Sequence, residues 1–468
     1  MRDILLSLVV ASLLVVALRH PVVGAYLWAW ISLMNPHKLT YGFARDFPFA
    51  YIAAVTTVVA LVLTKKRQAL PITGITLTLM ALLLWMTLTS LFAIVSPDLV
   101  LERWIFVMKI QLMFLITLML VTDAKQLRVM VWIVTFSVAL FGVKGGVWTL
   151  ATGGSGRVWG PPAGMLEGNN ELAVGLVVLM PMMYYLWVTE KYRLVRWALL
   201  FSMVTSSFAI LGTQSRGALV AMLAMLFFLG IKGKYPVRTS LVLLIFAGIA
   251  VSFMPDSWTN RMDTIRNFQQ DDSAMSRIWT WTTLWNAAVD RPLVGAGFRA
   301  DNLAVFRLYA PTDGEFEIFA GRVYVAHSIY FQMLGEHGFV GLAIFLLLGL
   351  VTWMTAARLA RTTKNDAELG PWMPSLMRMV QVSLVGYAAG GAFLSVAYLD
   401  LPYYIMGFVV TAGAIAKRRQ AQLKQGQAAG VLAKGVFSGP GAGASTGVAG
   451  APPSVRPGLG VLGSASRP

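Results

Sequence analysis

Residues 326–357 read AHSIYFQMLGEHGFVGLAIFLLLGLVTWMTAA, an apolar run that nevertheless holds His327, Glu336 and His337. A run of this length suits a hydrocarbon core of ~30 Å. It is stable there as a helix, because each backbone polar group must find a partner inside the segment. Twelve further apolar windows lie near residues 3–19, 22–35, 49–64, 73–95, 105–122, 129–148, 172–189, 195–213, 217–231, 239–254, 374–397 and 402–416. The fold class expected from this pattern is an all-α polytopic membrane protein.

Composition agrees. The chain has 468 residues, of which 57% are hydrophobic and 13% charged, with a mean hydropathy of +0.68; soluble domains hold roughly 25% charged residues. It has no cysteine and four histidines. Disulfides and thiolate zinc sites are therefore excluded, and a metal would need histidines and carboxylates. The net charge of +17 is spread in short basic clusters between apolar runs, as orientation in a bilayer requires, so no nucleic-acid partner is expected.

Arg2 followed by an apolar run has the outline of a signal peptide, but no small-x-small site precedes the next run, so it is read as a first span. Only Arg19, His20 and Pro21 separate it from a second run of about 14 residues, short for a full crossing. About twelve transmembrane helices are expected, with one of these two runs broken or re-entrant.

Basic residues in alternate connections give orientation, since cytoplasmic connections hold the excess. The connections near 65–67, 123–128, 190–196, 232–238, 358–364 and 417–424 hold eighteen lysines and arginines. The other short connections hold five: Lys38, Arg45, Arg103, Arg157 and Arg216. The first set is read as cytoplasmic. The expected organisation is transmembrane helices over 1–254, a large outward loop with amphipathic helices over 255–326, further spans over 327–416, and a cytoplasmic basic segment with a disordered tail over 417–468. The tail, rich in Gly, Pro, Ser and Ala, has no means of building a core.

The type of cation also differs between the two sides. The cytoplasmic set has nine lysines and nine arginines, whereas the outward set with its long loop has eleven arginines and one lysine. Arginine grips phosphate in two places at once. Arg216, in GTQSRGALVA, follows Ser215, a helix cap in prospect; the alternative for Arg216 is an interfacial anchor. Arg277 opens SRIWTWTTLWNAAVDRPLVGAGF (276–298), which reads as an amphipathic helix closed by DRP and a glycine turn. Trp279, Trp281 and Trp285 would suit a water–lipid boundary. Arg157 and Arg291 share the outward side. Lys109 and Lys144 lie inside apolar runs near their outward ends and either line a cavity or snorkel to the surface.

If 327–337 is one helix, ten residues rise about 15 Å and turn through roughly 1000°, so the two imidazoles cannot meet at one reacting atom. His327, at the aqueous boundary, is the candidate base. His337, among Gly335, Gly338 and Gly341, is either functional or a packed histidine bonded to a neighbouring span, with Glu336 as a possible partner.

Together these residues resemble the bacterial O-antigen ligase and polymerase superfamily of inner-membrane glycosyltransferases. His327, Ser328, Gly338 and Gly341 meet its His-Ser, nine residues, Gly-x-x-Gly pattern. Arg216 matches an arginine opening a span, with Val220 where the family has leucine. Arg277 with Asp290, Pro292, Leu293, Gly295 and Gly297 matches the outer-loop motif, and EGNNELA, with Asn169 and Asn170, resembles its asparagine loop. The similarity covers roughly residues 145–415 and is closest to O-antigen ligases; residues 18–44 are also similar to O-glycosylation ligases associated with exosortase systems.

The resemblance implies a bundle of twelve spans in the bacterial inner membrane, with its active site facing the periplasm. It also implies an undecaprenyl-diphosphate-linked glycan as donor and a lipid A core sugar as acceptor. His327, Arg216 and Arg277 would then be catalytic, and Arg291, Arg157, Asn170, Lys109, Lys144 and His337 would contact substrate. Diphosphate leaves readily once its charge is held, so arginines and one base suffice. No metal and no cofactor are expected, nor an oligomer beyond the monomer. A polymerase, a protein O-oligosaccharyltransferase and a lipid-linked glycan transporter remain as alternatives, the last being disfavoured because the cations gather on one side instead of along a path.

Overall fold

The computed structural model describes residues 1–64, 68–232, 272–312 and 314–436, with residues 241 and 248 as isolated positions. The apolar window 239–254, the basic clusters at 65–67 and 233–238, Arg261, Arg266, Asp271 and the tail from 437 lie outside the described residues or within them only in part.

The described residues form helices joined by loops and 3₁₀ turns. These helices are α1 (Arg2–Arg19), α2 (Pro21–Met34), α3 (Phe49–Leu63), α4 (Gly74–Ser90), α5 (Pro97–Leu120), α6 (Ala124–Ala151), α7 (Asn169–Thr189), α8 (Arg193–Gly212) and α9 (Arg216–Lys232). Then come α10 (Asp272–Asp290), α11 (Leu303–Tyr309), α12 (Ile329–Thr362), α13 (Met373–Gly391) and α14 (Asp400–Val436). Side-chain oxygens start several of them: Asp123 accepts from the Gln126 amide at 2.8 Å, and Thr73 and Thr76 form a reciprocal capping box. Such caps satisfy amides that the helix itself leaves without partners.

Among the described residues five helices are long and apolar enough to cross a membrane, namely α5, α6, α7, α8 and α12. Shorter apolar helices are α2, α3 and α4. The chain is a helical membrane protein. The two N-terminal runs are separate helices that pack on each other and turn at His20, because Pro21 lacks the amide that would continue the first one.

Two units divide the chain at Arg418 and Arg419. Within Met1–Arg418 the most buried of these five long apolar helices is α7, whose residues from Leu172 to Leu186 are buried throughout. It packs against α6, α8, α9 and α13, and α13 in turn against α9 and α12. Contacts sort the connections into two ends. At one end Tyr26 donates to the Gln126 carbonyl at 3.0 Å, Arg128 pairs with Glu190 at 2.9 Å, and Arg418 donates to Gln68 at 2.7 Å and to the Thr122 carbonyl. At the other end Val158 donates to the Gly212 carbonyl and Ile94 to the Ala296 carbonyl, Asn169 donates to the Thr213 carbonyl, and Ser395 accepts from the His327 amide.

The tryptophans of α10 do not form the boundary row that their sequence suggests. Trp279 is 1% exposed, packs against Phe306, Phe319 and Tyr324, and donates to the Pro311 carbonyl at 2.9 Å. Trp281 stacks on Phe331 of α12 and donates to the Ala326 carbonyl. Only Trp285 is largely exposed. Helix α10 therefore packs on α12, because its aromatic side chains find indole partners and a small apolar core there.

Candidate functional site

Helix α12 begins after Ser328, whose hydroxyl caps it by accepting from the Phe331 amide. It is interrupted at Gly338, with φ 69° and ψ −173°, a backbone region essentially restricted to glycine. Carbonyls on the N-terminal side of the break are taken up from outside the helix. The amides of Ala296 and Gly297 donate to the carbonyls of Gly335 and Glu336 at 2.8 and 2.9 Å, and the Trp85 indole donates to the His337 carbonyl at 3.1 Å. In the other direction the Phe339 amide donates to the Pro292 carbonyl at 2.8 Å.

The turn after α10 thus plugs the gap in α12. A Cβ on Gly338 would stand 2.4 Å from the Leu293 oxygen, and one on Gly295 would stand 2.6 Å from the Gly335 oxygen. Two motifs separated in sequence are two halves of one backbone interface. Asp290 holds its rim by accepting from Tyr309 at 2.7 Å, and Arg291 donates to the Phe92 carbonyl.

The break turns Glu336 and His337 inward, at 5% and 0% exposure. His337 Nδ1 lies 2.7 Å from the Thr89 hydroxyl, and its Nε2 lies 2.8 Å from the Tyr398 hydroxyl. Tyr398 donates to Glu336 Oε2, and the Arg299 amide donates to Oε1 at 3.1 Å. Phe298 meets the imidazole edge to face at 4.8 Å. Of the two readings of His337, this geometry is that of a histidine bonded to a neighbouring helix, with Glu336 reached through Tyr398. The guanidinium of Arg103 lies 5.3 Å from the Tyr398 ring centroid.

His327 sits just before α12 in a left-handed conformation, φ 44°, uncommon for a residue with a side chain. Its amide donates to Ser395 at 2.7 Å, and Trp281 holds the preceding carbonyl. The Nδ1 atom is buried without a hydrogen bond. Burial first, and the neighbouring Arg277 second, push its pKa down to about 4, because both disfavour the imidazolium. The imidazole is therefore neutral at pH 7. Arg277 and His327 are brought together although fifty positions separate them.

Arg216 is the first residue of α9, and Ser215 caps that helix by accepting from the Ala218 amide at 3.3 Å. Asn169 donates to the Thr213 carbonyl at 2.8 Å, tying the start of α7 to the turn that carries Arg216. The next residue, Gly217, lies against Phe393, two positions from the Ser395 that receives His327. Asn170 is half-buried in the first turn of α7. Arg157 is exposed on the loop after α6, and Lys109 and Lys144 are exposed on α5 and α6. Lys109 also borders a cavity of about 480 Å³ with Ser32, Glu167 and Asp400.

A second, polar cavity of about 240 Å³ opens beside His327, lined by Arg103, Arg299, Asp301, Gln332, Glu336 and Ser395 among others. Sequence reasoning missed Thr89, Arg299, Ser395 and Tyr398 as site residues. The polar positions in LSVAYLD (394–400), set between apolar runs, were the one available signal, since an unpaired polar group is expensive there.

Comparison with known families gives two matches. Residues 201–346 match a family model described as O-antigen ligase, and residues 1–192 match one described as a family of unknown function (DUF5935). No curated protein matches the chain.

Proposed function

Because residues 201–346 belong to the O-antigen ligase superfamily, we propose that this chain is an inverting, metal-independent O-antigen ligase of the bacterial inner membrane. It moves a glycan from undecaprenyl diphosphate to a hydroxyl of the lipid A core on the periplasmic face. The reading takes twelve spans, with the lysine-bearing end of the bundle cytoplasmic.

One observation carries the reading: Arg277 stands close enough to a neutral His327 to depress its basicity. That nearness, at the bundle end where α9 presents Arg216, supports reading Arg277 as a phosphate-binding cation beside a base. Arg216 and Arg277 hold the diphosphate. The acceptor oxygen attacks the anomeric carbon and His327 takes the hydroxyl proton. The carbon–oxygen bond to phosphate breaks, and its electron pair leaves with the undecaprenyl diphosphate. Attack from the side opposite the leaving group inverts that carbon.

Arg157, Asn170, Lys109 and Lys144 extend the binding surface toward the donor's phosphates and sugars. Arg291 and His337 support it from behind, the first through the Phe92 carbonyl and the second through Thr89 and Tyr398. Removing a positioned base lowers rate by about 10² to 10⁴.

Purified full-length protein in proteoliposomes with lipid-linked glycan and lipid A core, and no nucleotide, tests the reading. Capped lipopolysaccharide on a gel is expected, with a loss of that size in His327→Ala. Product on a protein or a growing glycan would reassign the acceptor. Absence of any covalent product would remove the enzyme.

A further inference from the structure

The polar cavity beside His327 has no part in the reaction as described so far. Its walls come from α5 (Arg103), α10 (Leu284), the segment after the glycine turn (Arg299, Asp301), residues 324–326 before α12, α12 itself (Gln332, Glu336) and the turn before α14 (Ser395). Ser395 also accepts the His327 amide, so this wall of the cavity is fixed to the backbone of the proposed base. Neither Arg216 nor Arg277 lines it. The cavity therefore adjoins the backbone of the base through Ala326 and Ser395, and its wall includes neither the imidazole nor the two arginines assigned to the diphosphate.

Its chemistry is that of a site for hydroxyl groups. Two arginines and two acidic residues line one space together with Gln332 and Ser395. Glu336 is held in place by the Tyr398 hydroxyl and the Arg299 amide, one bond on each oxygen. Each carboxylate oxygen can accept a further bond. Fixed acceptors and donors in mixed array suit a polyhydroxylated ring, whose hydroxyl groups both donate and accept. A volume of about 240 Å³ is below the ~300–1,000 Å³ of pockets for drug-sized ligands, so it takes one sugar ring.

We propose that this cavity is the subsite for the acceptor's terminal sugar, with Asp301 and Glu336 receiving its hydroxyl hydrogens and Arg103 donating to its oxygens, so that the reacting hydroxyl is directed to His327. The inference rests on the ligase reading for the identity of that sugar, while the cavity's preference for a hydroxylated ring stands on its lining.

Two measurements on full-length protein in detergent or proteoliposomes separate the subsite from the reaction. The first is binding of deacylated lipid A core oligosaccharide in the absence of donor. Asp301→Asn, which leaves the Thr89–His337–Tyr398–Glu336 chain untouched, and Glu336→Gln, which keeps its shape, are each expected to weaken it at least tenfold. The second is steady-state transfer, where the same variants raise the acceptor KM at least tenfold and leave the donor KM within twofold of wild type. Wild-type protein that binds the oligosaccharide without transferring to it would keep the subsite and remove the ligase. Oligosaccharide binding unchanged in both variants, or a rise confined to the donor KM, would overturn the subsite while leaving the ligase in place.

Discussion

The Nε2 atom of His337 lies 2.8 Å from the hydroxyl of Tyr398, across a helix break and sixty-one positions of sequence. That hydroxyl donates to Glu336, so it bonds to two consecutive residues of α12 at once. Since the phenol has one hydrogen, its donation to the carboxylate makes it the acceptor from His337, and Nε2 carries the imidazole hydrogen. Nδ1 lies 2.7 Å from the Thr89 hydroxyl, which also reaches the Met86 carbonyl at 3.0 Å. That one donation fixes the direction of the bonds that Tyr398 makes to Glu336 and His337.

Tyr398→Phe removes the hydroxyl and leaves Glu336 and His337 buried, each short of a partner. An unsatisfied buried polar group costs about 1–3 kcal/mol, and the expected result is destabilisation of that size, read as earlier thermal unfolding in detergent. Thr89→Val removes the other end and should destabilise less, because only one side chain, His337, is left short of a partner. Unchanged unfolding in Tyr398→Phe would mean that the chain contributes nothing to stability.

Gly338→Ala meets two obstacles at once: a backbone conformation at φ 69° and the Leu293 oxygen at 2.4 Å from the new Cβ. The conformational part alone amounts to about 1–3 kcal/mol, and the clash adds to it by forcing the turn out of the break. Gly349, on the same helix, has open space around a built Cβ. Gly349→Ala should leave unfolding unchanged while Gly338→Ala lowers the midpoint. Equal midpoints for the two would show that the turn does not depend on the glycine.

How far the sequence carried can be judged at particular residues. The helices of the bundle were legible because apolar runs of sufficient length have one stable form in lipid. Arg277 and His327 were expected on one side from the alternation of basic connections, and in the structure Arg277 is near enough to His327 to depress its basicity. The break at Gly338 was hidden: its glycine reads as a packing residue, and the backbone donors and acceptor that fill the gap come from 292–297, more than forty positions away. Trp279 was misread as a boundary residue because its partners Phe306, Phe319 and Tyr324 follow it by at least twenty-seven positions. Thr89 had no periodic or motif signal, since it is defined by a histidine on another element.

Arg277→Lys keeps a positive charge beside His327 and loses the planar two-pronged grip on phosphate. Loss of one donor aimed at developing charge lowers rate by about 10² to 10³, and a fall in turnover within that range is expected for this variant in the proteoliposome assay. The same comparison at Arg216→Lys tests whether both arginines hold the leaving group. Turnover within twofold of wild type in either would remove that arginine from the diphosphate.

Transfer should persist at full rate in a strong chelator. Among the described residues no group of three or more His, Asp or Glu side chains is gathered, and in the proposed reaction the arginines neutralise the departing diphosphate. Loss of turnover that returns with magnesium or manganese would assign the leaving group's charge to a cation instead.

Dependence on pH gives the most direct test of the pairing of Arg277 with His327. The reactive form is the neutral imidazole, and its pKa of about 4, below the ordinary 6.5, keeps it in that form as the solution is acidified. The value of kcat/KM for donor, which reports the free enzyme, should therefore hold through pH 6 and fall only as pH drops through about 4. Bound diphosphate brings negative charge to Arg277 and cancels the second cause of the depression, while burial, the first, remains. In the complex the imidazole protonates more readily, so the acid limb of kcat should lie at higher pH than that of kcat/KM. Arg277→Gln abolishes the cation and should bring the two limbs together, by raising the lower one. Limbs that already coincide in the wild type, or a kcat limb displaced toward acid, would mean that Arg277 does not face the phosphates when the donor is bound.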